Sequence, residues 1–121
     1  DIGWYGRLDE PMLLGDLTRR IGAELNRFPL VIGDETRPVR RIAWCSGGAQ
    51  DYFEKALEQN VDAYFSGEIS EPNVHFARES GVAYIAAGHH ATERYGIRAM
   101  AAHLAEKFGL DCEFVDIDNP V

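Results

Sequence analysis

Cysteine is nearly missing from this chain. Cys45 and Cys112 are two thiols in 121 residues, too few for a disulfide scaffold. Both lie in strand-like apolar surroundings, so they are expected to be reduced core residues of a cytoplasmic protein. Cys45, beside a glycine turn, also admits the reading of a reactive thiol. No apolar run reaches the length of a membrane span, and nothing resembles a secretory signal. Positive charge is scarce: 12 Lys and Arg stand against 20 Asp and Glu, a net charge of −8. That balance argues against extended DNA or RNA binding, which needs clustered Lys and Arg. The densest basic run, Arg37-Pro38-Val39-Arg40-Arg41, reads as a solvated loop and strand edge.

What is present is the composition of one globular domain. Its hydrophobic fraction of 45% excludes disorder as the main state. The chain opens at Asp1 rather than Met, and Asp-Ile-Gly-Trp-Tyr-Gly reads like the middle of a longer protein, so a fragment is expected.

The apolar pattern divides the chain into short elements. Trp4 to Leu8 is a short strand broken by Asp9-Glu10-Pro11. Leu14, Leu17, Ile21 and Leu25 recur at helical spacing, giving a helix over roughly 14–26. Phe28 to Ile32 follows as a strand whose Pro29 marks an edge. From Val39 the chain alternates regularly. The expected strands are Val39–Cys45, Val61–Phe65, Val82–Ala87 and a closing Cys112–Ile117. The expected helices are Asp51–Gln59 stopped by Asn60, one opened by Pro72 and ended by Gly81, and Thr92–Phe108 ended by Gly109. The last helix carries Ile97, Met100, Ala101, Leu104 and Phe108 on one face. Strands each followed by a helix predict an α/β fold with a mostly parallel sheet and helical crossovers.

Such a sheet gathers three loops at the carboxyl ends of its strands: Ser46-Gly47-Gly48, Ser66-Gly67-Glu68 and Gly88-His89-His90. Each loop puts small residues beside polar ones, so together they describe one composite site. His89 and Glu93 are four residues apart, which places them about 40° apart on a helix. Imidazole and carboxylate together suit a borderline divalent ion such as Zn, Mn, Fe, Co or Ni. The same residues also suit a plain helix start, with His90 as cap and Glu93 in the first turn. Ser46, Gly47 and Gly48 let a backbone approach a phosphate, although an ordinary tight turn explains them equally well. Glu68 reads as an acceptor for a histidine N–H, as a general base, or as a solvated loop carboxylate. His75 is expected half-buried within its helix and His103 on the surface. Tyr64 and Tyr84 are expected in the core.

Three segments carry a family resemblance: Ile42-Ala43-Trp44-Cys45-Ser46-Gly47-Gly48; Val61-Asp62-Ala63-Tyr64-Phe65-Ser66-Gly67-Glu68-Ile69-Ser70; and Ala87-Gly88-His89-His90-Ala91-Thr92-Glu93-Arg94. The closing Asp116-Ile117-Asp118-Asn119-Pro120 adds to them. Together they resemble the C-terminal half of the Nif-three-like family (NGG-interacting factor three-like), whose bacterial members are often labelled GTP cyclohydrolase type 2 homologues. The resemblance covers residues 1–121 and is sharpest over the α/β core at 39–121. It implies two interlinked α/β domains, a homo-oligomeric hexameric ring, and a pair of divalent metal ions between the domains. Of the ligands it implies, His89 and Glu93 lie in this chain and His90 does not match. The N-terminal His-His pair and Asp are absent here. The activity implied is that of a metal-dependent hydrolase of a nucleotide-like or other small molecule. In that reading Glu93 and Glu68 carry catalytic roles, and Ser46, Gly47 and Gly48 contact phosphate. The alternative is a non-catalytic metal-binding ring that serves as an interaction or regulatory protein.

Overall fold

The computed structural model describes residues 2–121, so Asp1, at the head of the opening segment, lies outside it. Among the described residues the order is β1 (Trp4–Leu13), α1 (Leu14–Leu25), β2 (Leu30–Ile32) and β3 (Pro38–Trp44). A 3-10 turn (Gln50–Tyr52) then leads into α2 (Phe53–Leu57), followed by β4 (Ala63–Ser66), α3 (Glu71–Ser80), β5 (Ala83–Ala86) and α4 (His89–Phe108). The sheet runs β1-β3-β4-β5-β2. Its three central strands are parallel and joined by the α2 and α3 crossovers, while β1 and β2 close the two edges antiparallel. No helix among the described residues is long and apolar enough to cross a membrane.

Strand alternation decides which side chain meets which helix. Ala43, Tyr64 and Tyr84 are in register across β3, β4 and β5 and share one face of the sheet. There they meet Phe53, Ala56 and Ala77 from α2 and α3. Phe53 is fully buried, stacked 5.5 Å from the Tyr64 ring and set edge-on 4.9 Å from Tyr84. Ala63, Ala83 and Ile85 face the other way and pack under Leu14 and Leu17 of α1. The small residues Ala63 and Ala83 let α1 lie close to the sheet.

Several elements depart from the sequence reading. β1 does not stop at Leu8; it continues through Pro11 to Leu13. The irregularity falls where the break was expected, because five residue steps from Arg7 to Met12 oppose only two from Arg41 to Val39. A bulge on an edge strand leaves Pro11 with no ladder bond to donate. The expected helix over Asp51–Gln59 is a 3-10 turn plus five residues of α2, and Asn60 reverses the chain at φ 52. α4 begins at His89, three residues before the expected start.

Cys112–Ile117 is not a strand. Residues 109–121 run back beside α4, where Arg98 sits over the Phe114 ring. A helix surface offers no row of backbone partners, so an extended segment there has no ladder to join. Cys112 is accordingly exposed and Cys45 only partly buried, and neither thiol is a core residue. His75 is exposed on α3 rather than half-buried, and His103 is exposed as expected. The apolar side of α4 is largely uncovered among the described residues: Ile97, Met100 and Phe108 are 53–60% exposed.

Phe53 fills the space between both crossover helices and the sheet, so Phe53→Ala is expected to cost about 3–5 kcal/mol of stability. His103→Ala, on the solvent side of α4, should stay within about 0.5 kcal/mol of the parent. Urea denaturation of the two variants checks the contrast.

Candidate functional site

The three loops meet, and glycine backbone is what lets them. The Gly67 N–H donates to the Gly47 carbonyl at 3.0 Å, and the Gly88 N–H donates to the Gly67 carbonyl at 2.9 Å. A Cβ on Gly67 would lie 2.6 Å from the Gly47 oxygen and 2.9 Å from its Cα, so no other residue fits without parting the loops. Gly47 turns the chain at φ +65, and a Cβ there would fall 2.2 Å from Glu93 Oε1. The Gly47 carbonyl also accepts from Ala49 N–H and from Ser66 Oγ, and the Gly47 N–H donates to Thr92 Oγ1 at 2.9 Å.

α4 opens from Gly88, whose φ of 97 aims the first helical turn back across the loops. His89 is the first helical residue, so Glu93 falls one turn along on the same side. His89 Nε2 lies 2.9 Å from Glu93 Oε2, and its Nδ1 lies 2.6 Å from Glu68 Oε1. The second Glu68 oxygen accepts from Gln50 Nε2 at 3.3 Å, and Gln50 Oε1 is buried without a partner. The core reaches these loops through its tyrosines. Tyr84 OH donates to the Glu68 carbonyl and Tyr64 OH to the Ala49 carbonyl, each at 2.7 Å. Burial pushes the Tyr84 phenol up to about 12 and raises Tyr64 as well, so both remain protonated donors at neutral pH.

One imidazole between two carboxylates sets the electrostatics. The hydrogen bond to Glu68 raises the His89 pKa, the Glu93 charge adds to it, and slight desolvation works against both. In the neutral tautomer whose Nδ1–H donates to Glu68, Nε2 turns a lone pair towards a Glu93 oxygen 2.9 Å away. Two acceptors that close need a proton or a cation between them. A histidine whose outer N–H is fixed by a carboxylate is also the arrangement that orients a ligand towards a metal. These residues therefore fit a divalent ion by the chemistry of their donors. Among the described residues no group of three or more His, Cys, Asp or Glu is arranged to hold one by itself.

The structure brings together His89, Glu93, Glu68 and Gly47. Ser46 and Gly48 lie on the same loop, exposed. The loop is poorly free to cradle a phosphate: the Gly47 and Ala49 amides are engaged internally, and the Glu68 carboxylate is about 3.5 Å from where a Gly48 Cβ would stand. His90 points away, 3.2 Å from Asp116, which also accepts from Arg94. Cys45 donates to the Ile2 carbonyl, and burial, with the nearby Glu93 charge, raises its pKa, which disfavours the thiolate. The spacing argument missed Thr92 and Gln50. Both hold the site through backbone groups or loop carboxylates, which leave no periodic mark in a sequence. Beside Glu93 lies an open groove of about 540 Å³ between α4 and the tail, lined in part by Ile97, Phe114 and Asn119.

A mixed sheet with a parallel centre, its strand-end loops packed through glycine backbone at one edge, defines the class of fold. The model of the Duf34/NIF3 (NGG1p interacting factor 3) family matches residues 1–120, and the chain belongs to that family. It is 53% identical over 117 residues to the GTP cyclohydrolase 1 type 2 homolog of Allochromatium vinosum, covering 97% of this chain and 46% of that protein. Against the protein of the same name from Pseudomonas aeruginosa the identity is 50%, covering 95% and 45%. The chain thus spans about half the length of the curated relatives it matches. Among solved structures it superposes on the protein ybgI, described as of unknown function, with a TM-score of 0.92 and 45% identity over 99% of this chain and 49% of that one. TTHA1606 from Thermus thermophilus gives a TM-score of 0.84 and 31% identity over 96% and 47%.

Two outcomes are expected. Gly47→Ala should cost about 1–2 kcal/mol for its left-handed backbone and should drive the Glu93 carboxylate off its present position, whereas Gly67→Ala, whose Cβ meets backbone, should cost more. Denaturation curves together with a crystal structure of the Gly47 variant read this. Secondly, the metal-free His89 ring should titrate above the ordinary histidine value, and Glu68→Gln should bring it down, as an NMR titration would show. Because folding raises this pKa, the stabilisation is present below the unfolded-state value and is lost as pH rises through the folded one.

Proposed function

We propose that this chain contributes one part of a dinuclear metal site, and that the protein is a metal-dependent hydrolase of a nucleotide-like or other small substrate. The observation that supports it most is His89 held between Glu68 and Glu93 where three strand-end loops meet. In this reading His89, through Nε2, and Glu93 hold divalent ions of the Zn, Mn, Fe, Co or Ni kind. The remaining ligands come from outside residues 1–121, which accords with relatives about twice as long. Two such ions supply Lewis acidity and lower the pKa of water. Glu68 fixes the ring through Nδ1 and stands ready to take a proton, its other oxygen steadied by Gln50. Exposed Ser46 and Gly48 are the loop positions left to meet a phosphate. The relatives' name, GTP cyclohydrolase 1 type 2 homolog, favours hydrolysis and leaves the substrate open.

A second reading has one observation in its favour. The uncovered Ile97, Met100 and Phe108 on α4 suit assembly into a ring, for which we propose a hexamer acting as an interaction protein in the cytoplasm.

The test uses protein of the relatives' full length. Elemental analysis should find divalent metal in the parent and a strong loss in His89→Ala and Glu93→Ala; undiminished metal in both sinks the assignment. Screened with nucleotides and phosphoesters, Glu93→Ala should lose at least about two orders of magnitude in turnover. Cys45→Ala and Ser46→Ala should keep most of it. A fully loaded protein that turns over nothing in the screen favours the second reading.

A further inference from the structure

We propose that Thr92 is the positioning residue of this site, the side chain that sets His89 and Glu93 in place over the glycine loop. The inference rests on the metal-site reading above for its purpose, though not for its geometry.

Thr92 Oγ1 accepts the Gly47 N–H at 2.9 Å and donates to the His89 carbonyl at 3.0 Å. One hydroxyl thus uses its donor and an acceptor lone pair at once, and the bond back to the carbonyl three residues earlier holds its χ1 in a single well. Gly47 is anchored from the opposite side as well, since its carbonyl accepts from Gly67 N–H, Ala49 N–H and Ser66 Oγ. The loop is therefore a fixed base belonging to the sheet, and Thr92 joins the first turn of α4 to that base.

The residues on either side explain why this joint matters. Glu93 follows Thr92 directly, and its Oε1 occupies the space where a Gly47 Cβ would lie. His89 precedes Thr92 by three residues, and its own carbonyl is the one Thr92 holds. A small rotation of the first turn about its axis moves both side chains together relative to Glu68, which belongs to a different loop. Other ties at this end of α4 hold other sides of it: Gly88 N–H to Gly67 O fixes the entry to the helix, His90 N–H to Val121 O and the Asp116 carboxylate hold its tail-facing side, and Arg94 to Leu25 O fixes the next turn. Thr92 is the side chain that bonds to the loop beneath the two candidate ligands. Valine has the same shape and neither hydrogen bond; serine has both bonds without the methyl group.

The experiment compares protein of the relatives' full length with its Thr92→Val and Thr92→Ser variants. Three quantities are read at one pH: Gly47 amide exchange, the His89 ring nitrogen shifts by NMR, and Zn2+ affinity by titration. In Thr92→Val the Gly47 amide should exchange on the order of tenfold faster. The His89 ring shifts should move, and Zn2+ should bind roughly tenfold more weakly, the usual effect of losing support around a ligand. Thr92→Ser should restore all three. A purely stabilising threonine would lower the melting temperature of Thr92→Val while leaving ring shifts and affinity at parent values, and that result overturns the proposal. Equal losses in Val and Ser variants overturn it too. If Thr92→Val does not fold, Thr92→Ala replaces it with the same expectations. Ring shifts that move in a chain whose parent ignores Zn2+ uphold the positioning role and count against the metal reading instead.

Discussion

The contact between the Gly47 and Gly67 backbones is the constraint on which the site depends. Two loops from neighbouring parallel strands lie so close that a single Cβ on Gly67 would strike the Gly47 peptide. Everything that faces solvent at this edge is built on that contact. The bare Cα of Gly47 makes the room that Glu93 fills, and the Gly88 amide, bonded to the Gly67 carbonyl, starts α4 directly above. Parallel strands always gather their following loops at one edge. Glycine at these positions turns a loose gathering into a stack of backbone hydrogen bonds with carboxylates and an imidazole on top.

Core and site are one construction. Phe53, Tyr64 and Tyr84 fill the layer between the sheet and the crossover helices, and the two tyrosines end in hydroxyls that bond to the Ala49 and Glu68 carbonyls. Apolar burial thus sets the position of the rings, and the rings set the position of the loops. Glu68 is consequently held at its backbone by the core and at its side chain by His89 and Gln50. A carboxylate restrained at both ends has little rotamer freedom left to lose when it orients another group.

Much of this was legible in the sequence wherever a period or a stop signal recorded it. The helix expected over roughly 14–26 followed from Leu14, Leu17, Ile21 and Leu25 and forms over Leu14–Leu25, and the parallel centre followed from strands alternating with helices. The convergence of the three strand-end loops followed from topology alone. What the sequence hid was set by neighbours distant in the chain. β1 survives Pro11 because the partner strand β3 allows a bulge there. Cys112–Ile117 has a strand's composition, yet it lies against a helix and finds no ladder. Thr92 looked like any residue of a helix start until Gly47, 45 positions earlier, was placed beside it. The family resemblance held over nearly the whole chain, and the internal bonds of the Gly47 and Ala49 amides left no trace in the sequence.

α4 has a further geometric property. It is one unbroken helix of 20 residues, about 30 Å long, rooted at Gly88 by one end and bare along its outer apolar side. A rod of that length works as a lever: a tilt of about 5° at the root displaces the tip by roughly 3 Å. The same proportion holds in reverse, so an ångström of movement imposed near Phe108 reaches His89 and Glu93 as a rotation of about 2°. A surface laid over the far end of α4 would therefore act, with a mechanical reduction built into the helix, on the fine alignment of the imidazole and carboxylate at its root.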